Sequence, residues 1–206
     1  NVSKVSFEGL IEPRICSDIS FDNDFEEVMV PEKYNGTDFC GKKPSYMGIC
    51  GEGCSFKYYH DEAYLEIIGG IMNKTWETTD IVVWKEHILL MKKVTITGTQ
   101  NVGQNAFKGA VNLIDIKIDP TLKEIENNAF EGCTGLQSID LPASLETIGE
   151  KAFTGVNIIE TIIIKNQVKS IGSGAFGNMN KLQSVSIPIT VTSTNTDIFA
   201  GSNQLK

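Results

Sequence analysis

Ala129-Phe-Glu-Gly-Cys-Thr-Gly-Leu136 runs on through Ile139-Asp-Leu-Pro142, Leu145 and Ile148-Gly149 to a second Ala152-Phe153, and this stretch decides how the chain folds. Phe153 stands 23 residues after Phe130, and the same step leads back to Phe107 and on to Phe176 and Phe199. Alanine precedes the first four of these phenylalanines; Ile198 precedes the fifth. Further columns keep the same step: Leu113, Leu136, Ile159, Leu182 and Leu205, then Ile116, Ile139, Ile162 and Val185, then Ile118, Leu141, Ile164 and Ile187. Leu122, Leu145, Val168 and Val191 form another, as do Ile125, Ile148 and Ile171, where Thr194 breaks the row. Self-similarity at a fixed period of this length is the mark of a solenoid.

Each column has a physical meaning. The pair Ile139 and Leu141 has period two, which puts both side chains on one face of a short strand. Pro142 and Pro188 follow their strands, where a residue without an N–H removes no ladder bond. Gly149 and Gly172 mark turns, and the Ala-Phe pair is expected in a short helical or irregular return. A single coil of this kind leaves its faces uncovered, so coils must stack. Stacking at a constant step lines the strands into a parallel sheet and the phenylalanines into a ladder. The fold class expected is an α/β repeat: a solenoid with a parallel β-sheet on one face and short helical or irregular returns on the other.

Three segments follow. Residues 93–206 are the solenoid of 23-residue period; Val94-Thr-Ile96 and Val102-Gly103 read as its first, slightly shorter coil. Residues 1–43 carry a worn copy, with Phe21, Phe25 and Val28-Met-Val-Pro31, and read as the terminal coil of an upstream array plus an exit strand. Residues 44–92 do not repeat and read as a cysteine-containing lead-in and cap, with Ile81–Trp84 and Ile88–Met91 as apolar runs covering the first coil. The array stops inside a repeat at Lys206, so a continuation or a further cap is expected there.

Composition removes several function classes. The formal net charge is −8 and Arg14 is the one arginine, so there is no basic footprint for nucleic acid or for an anionic membrane. No apolar stretch approaches the ~20 residues that span a bilayer, so this fragment is not expected to insert directly. No nucleophile elbow, phosphate-cradling loop or paired-histidine zinc motif occurs, and Gly103 is followed by Gln104 and Asn105 rather than by a phosphate-loop lysine. His60-Asp61-Glu62 is an acid–base trio with no nucleophile beside it, which reads as a solvated turn. No catalytic residue, cofactor or metal site is expected.

Cys16, Cys40, Cys50 and Cys54 lie in the first quarter of the chain and read as a disulfide framework whose pairing stays open. The order Cys40-x9-Cys50-x3-Cys54-x5-His60 also offers four zinc ligand types, at a spacing unlike the compact zinc motifs. Cys133 fills a column held elsewhere by Ala110, Val156, Met179 and Ser202, so a small buried side chain explains it better than a reactive thiol does. Asn1-Val-Ser3, Asn35-Gly-Thr37 and Asn73-Lys-Thr75 are acceptor sequences for N-glycosylation.

The repeat resembles that of the BspA-like leucine-rich-repeat surface proteins, which is about 23 residues long and carries the hallmark I-G-x-x-A-F-x-x-C-x-x-L. Ile148-Gly-Glu-Lys-Ala-Phe153 and Ile171-Gly-Ser-Gly-Ala-Phe176 carry its first half, and Ala129-Phe-Glu-Gly-Cys-Thr-Gly-Leu136 its second. Val28-Met-Val-Pro-Glu-Lys-Tyr34 with Phe39-Cys-Gly41 resembles the element that closes arrays in protist members. Cys50-Gly-Glu-Gly-Cys54 and Leu65-Glu-Ile-Ile-Gly69 resemble the lead-in to the next array, although Gly69-Gly-Ile-Met72 lacks its fuller pattern. The resemblance implies a cell-surface or secreted protein, adhesion to a host or microbial surface or matrix protein, or aggregation, and no catalysis.

Strand parity then names the binding face. With Ile116 and Ile118 inward, Asp115, Lys117 and Asp119 point outward. The same parity exposes Ser138 and Asp140, then Thr161, Ile163 and Lys165, then Ser184 and Ser186. Ile163 is an aliphatic anchor in a polar sheet, and this face is where a protein partner is expected. Self-association of solenoids into a surface coat is the alternative.

Overall fold

The computed structural model describes residues 4–6, 27–31, 45–72, 82–194 and 197–206, with backbone alone at 4–6, 27–31 and Ser45. Cys16, Cys40, Phe21, Phe25 and the three glycosylation sequences lie outside the described residues. Strands β1 (Lys4–Ser6), β2 (Glu27–Pro31), β3 (Ser45–Glu52), β4 (Cys54–Tyr59) and β5 (Tyr64–Ile68) join β7 (Lys93–Thr97) and β9 (Asp115–Lys117) in one sheet, in that order. β1 and β2 are parallel with Lys4 opposite Glu27, which is again the 23-residue step. β3, β4 and β5 then form an antiparallel meander, and β5 returns the sheet to parallel pairing by aligning Tyr64 with Lys93. β6 (Ile71–Met72) folds back onto the end of β3, where Cys50 and Cys54 are joined by a disulfide.

A second parallel sheet runs along another side of the coils. Its strands are β8 (Asn101–Val102), β10 (Glu124–Ile125), β11 (Thr147–Ile148), β13 (Ser170–Ile171) and β15 (Ser193–Thr194). Val102, Ile125, Ile148, Ile171 and Thr194 stand in register, so the isoleucine-glycine corner of the repeat is itself a ladder. β12 (Thr161–Ile163) and β14 (Ser184–Ser186) pair separately.

Of the helical or irregular returns expected from the sequence, the helical form is absent among the described residues. Apart from a 3-10 turn at Lys85–His87, no described residue is helical. The backbone explains why. In the return, alternate N–H groups donate to the next coil: Asn105 to the Asn127 carbonyl, Phe107 to Ala129, Gly109 to Glu131. The residues between them close three-residue turns, as Ala106 does on Gly103 and Lys108 on Asn105. A helix would turn all of these donors back on its own chain. Left-handed residues enforce the zigzag in each coil, Asn105, Asn128 and Lys151 at one corner and Gly109, Gly132 and Gly155 at the next. The strand expected at Ile139-Asp-Leu141 is also missing. Gln137 donates to the Ile114 carbonyl at 3.2 Å, but no backbone bond ties 138–141 to the coils on either side. The long sheet therefore stops at β9.

Six aromatic rings form the spine. Trp84, Phe107, Phe130, Phe153, Phe176 and Phe199 stack with centroids 5.3–5.9 Å apart and planes within 20°. The ladder thus starts one step before the expected solenoid, because Trp84 stands 23 residues ahead of Phe107 and ties itself in by donating from Nε1 to the Ala106 carbonyl at 2.7 Å. Met91 is buried where the other coils place a leucine or, at Ile159, an isoleucine, whereas Leu89 and Leu90 are exposed. Cys133 is buried in the core, its Sγ 3.1 Å from the Phe107 carbonyl, and burial pushes its thiol up to about 12.

The close approach of coils fixes the corner glycines. A Cβ on Gly149 would lie 2.5 Å from the Glu126 carbonyl carbon and 2.6 Å from the Asn127 nitrogen, both backbone atoms that cannot swing aside. Gly149→Ala is expected to cost about 1–3 kcal/mol through overpacking, seen as a lower midpoint in urea. An unchanged midpoint would mean that neighbouring coils can separate at this corner without cost.

Candidate protein-binding face

Period-two alternation positions every side chain on the outer face of the long sheet. In β7, Val94 and Ile96 are buried and Lys93, Thr95 and Thr97 face out; in β9, Ile116 is buried between exposed Asp115 and Lys117. Register carries these into rows across strands. One row is Tyr59, Tyr64, Lys93 and Asp115; the next is Met47, Lys57, Glu66, Thr95 and Lys117.

The first row is built. Tyr59 and Tyr64 stack at 5.3 Å, Lys93 Nζ lies 5.6 Å over the Tyr64 ring, and the Tyr59 hydroxyl donates to Glu66 at 3.2 Å. Ile49 and Ile68 stand exposed on the same face, each opposite Ser55. Repeat periodicity could not reveal these residues, since they belong to the antiparallel meander. The alternation within Cys54–Tyr59 and Tyr64–Ile68 was the available signal.

Of the outward positions expected from the sequence, Asp115, Lys117, Ser138, Asp140, Thr161, Ser184 and Ser186 are exposed. Ile163 is 57% exposed at the end of β12 and is flanked by Ser186 on β14. Lys165 is half-buried and pairs with the exposed Asp140 at 3.6 Å. Such a surface pair contributes little to stability. Asp119 differs from the rest. Its carboxylate accepts from the Gly98 N–H at 2.6 Å and from the N–H and hydroxyl of Thr121. Those bonds, the Gly98 one first, hold its carboxyl below the usual carboxylate range, so Asp119 serves the turn between coils. Ile187, expected inward, is exposed, and Ile189 beside it is fully so.

Charges on this face alternate in sign. A like-patterned ladder lies along the other sheet, where Glu146 bridges Lys123 at 3.2 Å and Lys169 at 2.7 Å. The hydrogen bond from Lys169 and then that from Lys123 hold the Glu146 carboxyl below its ordinary value.

The zinc reading of Cys40, Cys50, Cys54 and His60 fails at the disulfide, which removes Cys50 and Cys54 as thiolates. Among the described residues no three His, Cys, Asp or Glu side chains are placed to hold a metal. Asp61 and Glu62 are exposed in the turn after β4. No helix among the described residues is long and apolar enough to cross a membrane.

Comparison with known proteins agrees with this geometry. No functionally curated protein matches the chain. A leucine-rich-repeat protein of T. pallidum superposes with a TM-score of 0.53 at 22% identity, over 73% of this chain and 87% of its own. One from Bacteroides ovatus gives a TM-score of 0.57 at 22% identity, over 75% of this chain and 45% of its own. A leucine-rich cell surface protein from Faecalibacterium prausnitzii gives 0.51 at 18% identity, over 83% and 55%. At these identities the likeness shows a shared fold. The sequence itself carries six copies of the BspA-type leucine-rich-repeat region over residues 87–206, and the chain belongs to that family.

Proposed function

We propose that this chain is a cell-surface or secreted protein-recognition module that holds a surface or matrix protein against the outer face of its parallel sheet. The observation that carries this reading is Ile163, an aliphatic side chain 57% exposed at the end of β12 and set beside exposed Ser186 of β14. Exposed aliphatic anchors surrounded by polar groups are what protein interfaces use. The family, and the cell-surface description of the Faecalibacterium relative, support an extracellular setting. So does the Cys50–Cys54 disulfide, since disulfides persist where the environment is oxidising. Adhesion to host cells or matrix is the specific form we favour, as binding without catalysis.

The test replaces Ile163→Asp and Lys165→Glu together and measures retention on immobilised matrix proteins and on epithelial cells. Circular dichroism and thermal melting check that the variant is folded. Binding is expected to weaken by about tenfold or more, the loss of a single anchor worth ~1.4 kcal/mol or above. Equal binding by both proteins would remove the end of β12 as the site and direct attention to the face formed by Tyr59, Tyr64, Ile49 and Ile68.

A second reading is self-association, favoured by exposed Ile187 and Ile189 on the outermost described coil. It requires a mass that rises with protein concentration, and a constant monomer mass would dismiss it.

A further inference from the structure

Both histidines of this chain converge on one buried tyrosine at the seam between the antiparallel meander and the first coil. Tyr58 on β4 is fully buried, and its hydroxyl has no hydrogen-bond partner among the described residues. His87, in the 3-10 turn of the first coil, stacks flat on that ring at 4.3 Å and 10° and leans on Tyr46 of β3 at 4.6 Å. His60, in the turn after β4, meets Tyr58 edge-on at 6.2 Å, and its Nδ1 is buried with no partner among the described residues. The backbone of His87 also shapes the coil. Its N–H donates to the Trp84 carbonyl at 3.0 Å, and its carbonyl accepts from Leu90 at 2.9 Å and Met91 at 3.0 Å.

From this arrangement we infer an acid-sensitive latch: His87 holds the seam closed while neutral, and its protonation loosens segment 85–91 from β3 and β4. The physical reason is desolvation. A stacked imidazole packs well as a neutral ring, but a cation there has lost water without gaining an acceptor. The titratable groups on the elements packed against His87 are Tyr46 and Glu52 on β3, Lys57, Tyr58 and Tyr59 on β4, His60, Asp61 and Glu62 in the following turn, and Lys85 and Glu86 beside it. Of these, His60 disfavours the His87 cation and Glu86 favours it. Burial is the largest influence, and the balance lowers the pKa of His87 from 6.5. The sign follows from linkage. Stability from the neutral ring is fully present above 6.5 and is lost as pH falls through the lower folded value. The latch belongs to the fold and is independent of what the sheet face binds.

Hydrogen exchange on the disulfide-intact chain at pH 7.5 and 5.5 tests it, with rates corrected for intrinsic exchange. In the wild type, protection of amides 85–91 is expected to fall by roughly threefold or more on acidification. His87→Phe keeps a ring against Tyr58 and Tyr46 without a titratable nitrogen and should hold its protection at both pH values. Unchanged protection in the wild type would overturn the latch, as would an acid loss in His87→Phe equal to that of the wild type. Should His87→Phe fail to fold, His60→Gln at the turn decides: a smaller acid loss than the wild type supports the latch, and an equal one refutes it.

Discussion

Phe130→Ala is expected to lower the unfolding free energy by about 3–5 kcal/mol, the usual cost of emptying a buried phenylalanine site. Phe130 is fully buried and stacks on both Phe107 and Phe153 at 5.3 Å. The cavity would open at mid-spine, between two rings whose backbones are pinned. Phe107 donates to the Ala129 carbonyl and Phe130 to the Ala152 carbonyl, each at 2.8 Å, so the coils cannot close up to refill the space. For a chain of this size the melting temperature should drop by roughly 6–20 °C. Phe199→Ala is the internal control. Phe199 is partly exposed and stacks only on Phe176 among the described rings, so its removal should cost distinctly less. Urea denaturation of the two variants side by side measures both. Equal losses would mean that the spine does not carry stability by stacking and burial along its length.

The second large effect concerns a polar residue. Asn101→Leu is expected to destabilise the chain by about 2–5 kcal/mol, because buried partners left unsatisfied each cost ~1–3 kcal/mol. Asn101 is buried on β8, and its amide clasps β6. Oδ1 accepts from the Met72 N–H at 2.8 Å, and Nδ2 donates to the Met72 carbonyl at 3.1 Å and to Glu126 at 2.7 Å. Leucine has similar volume and can meet none of these. Hydrogen exchange should show Met72 losing protection together with β8, while the spine beyond Phe153 keeps its own. A variant within 0.5 kcal/mol of wild type, a margin typical of surface substitutions, would mean that the meander does not depend on this clasp.

Asn101 also shows why part of the molecule stayed hidden. In the repeat it occupies the position of Glu124, Thr147 and Ser170, which are half-buried in their own coils. Nothing in the column predicts a buried clasp, because the strand that covers it, Ile71–Met72, comes from a segment without a repeat. The aromatic spine was legible for the opposite reason. A residue stacking only on its own equivalents must recur at a constant step, so the phenylalanine column announces itself. Trp84 is the edge of that legibility: it keeps the step, but an extra residue at Leu89-Leu90 breaks the columns that would have flagged it.

The sequence by itself therefore determined the solenoid, its period and most of the inward columns, Ile187 excepted, since each follows from apolar spacing and the demand that every coil bury its faces. Tertiary structure alone decided the rest. Whether a return becomes a helix or a zigzag depends on where its N–H groups find acceptors, and here those acceptors lie in the neighbouring coil. The meander that extends the sheet, the seat of Tyr59 and Tyr64 on its face, and the meeting of His60 and His87 on Tyr58 join residues of unlike spacing. No local pattern encodes such meetings, because they arise only when one segment packs against another.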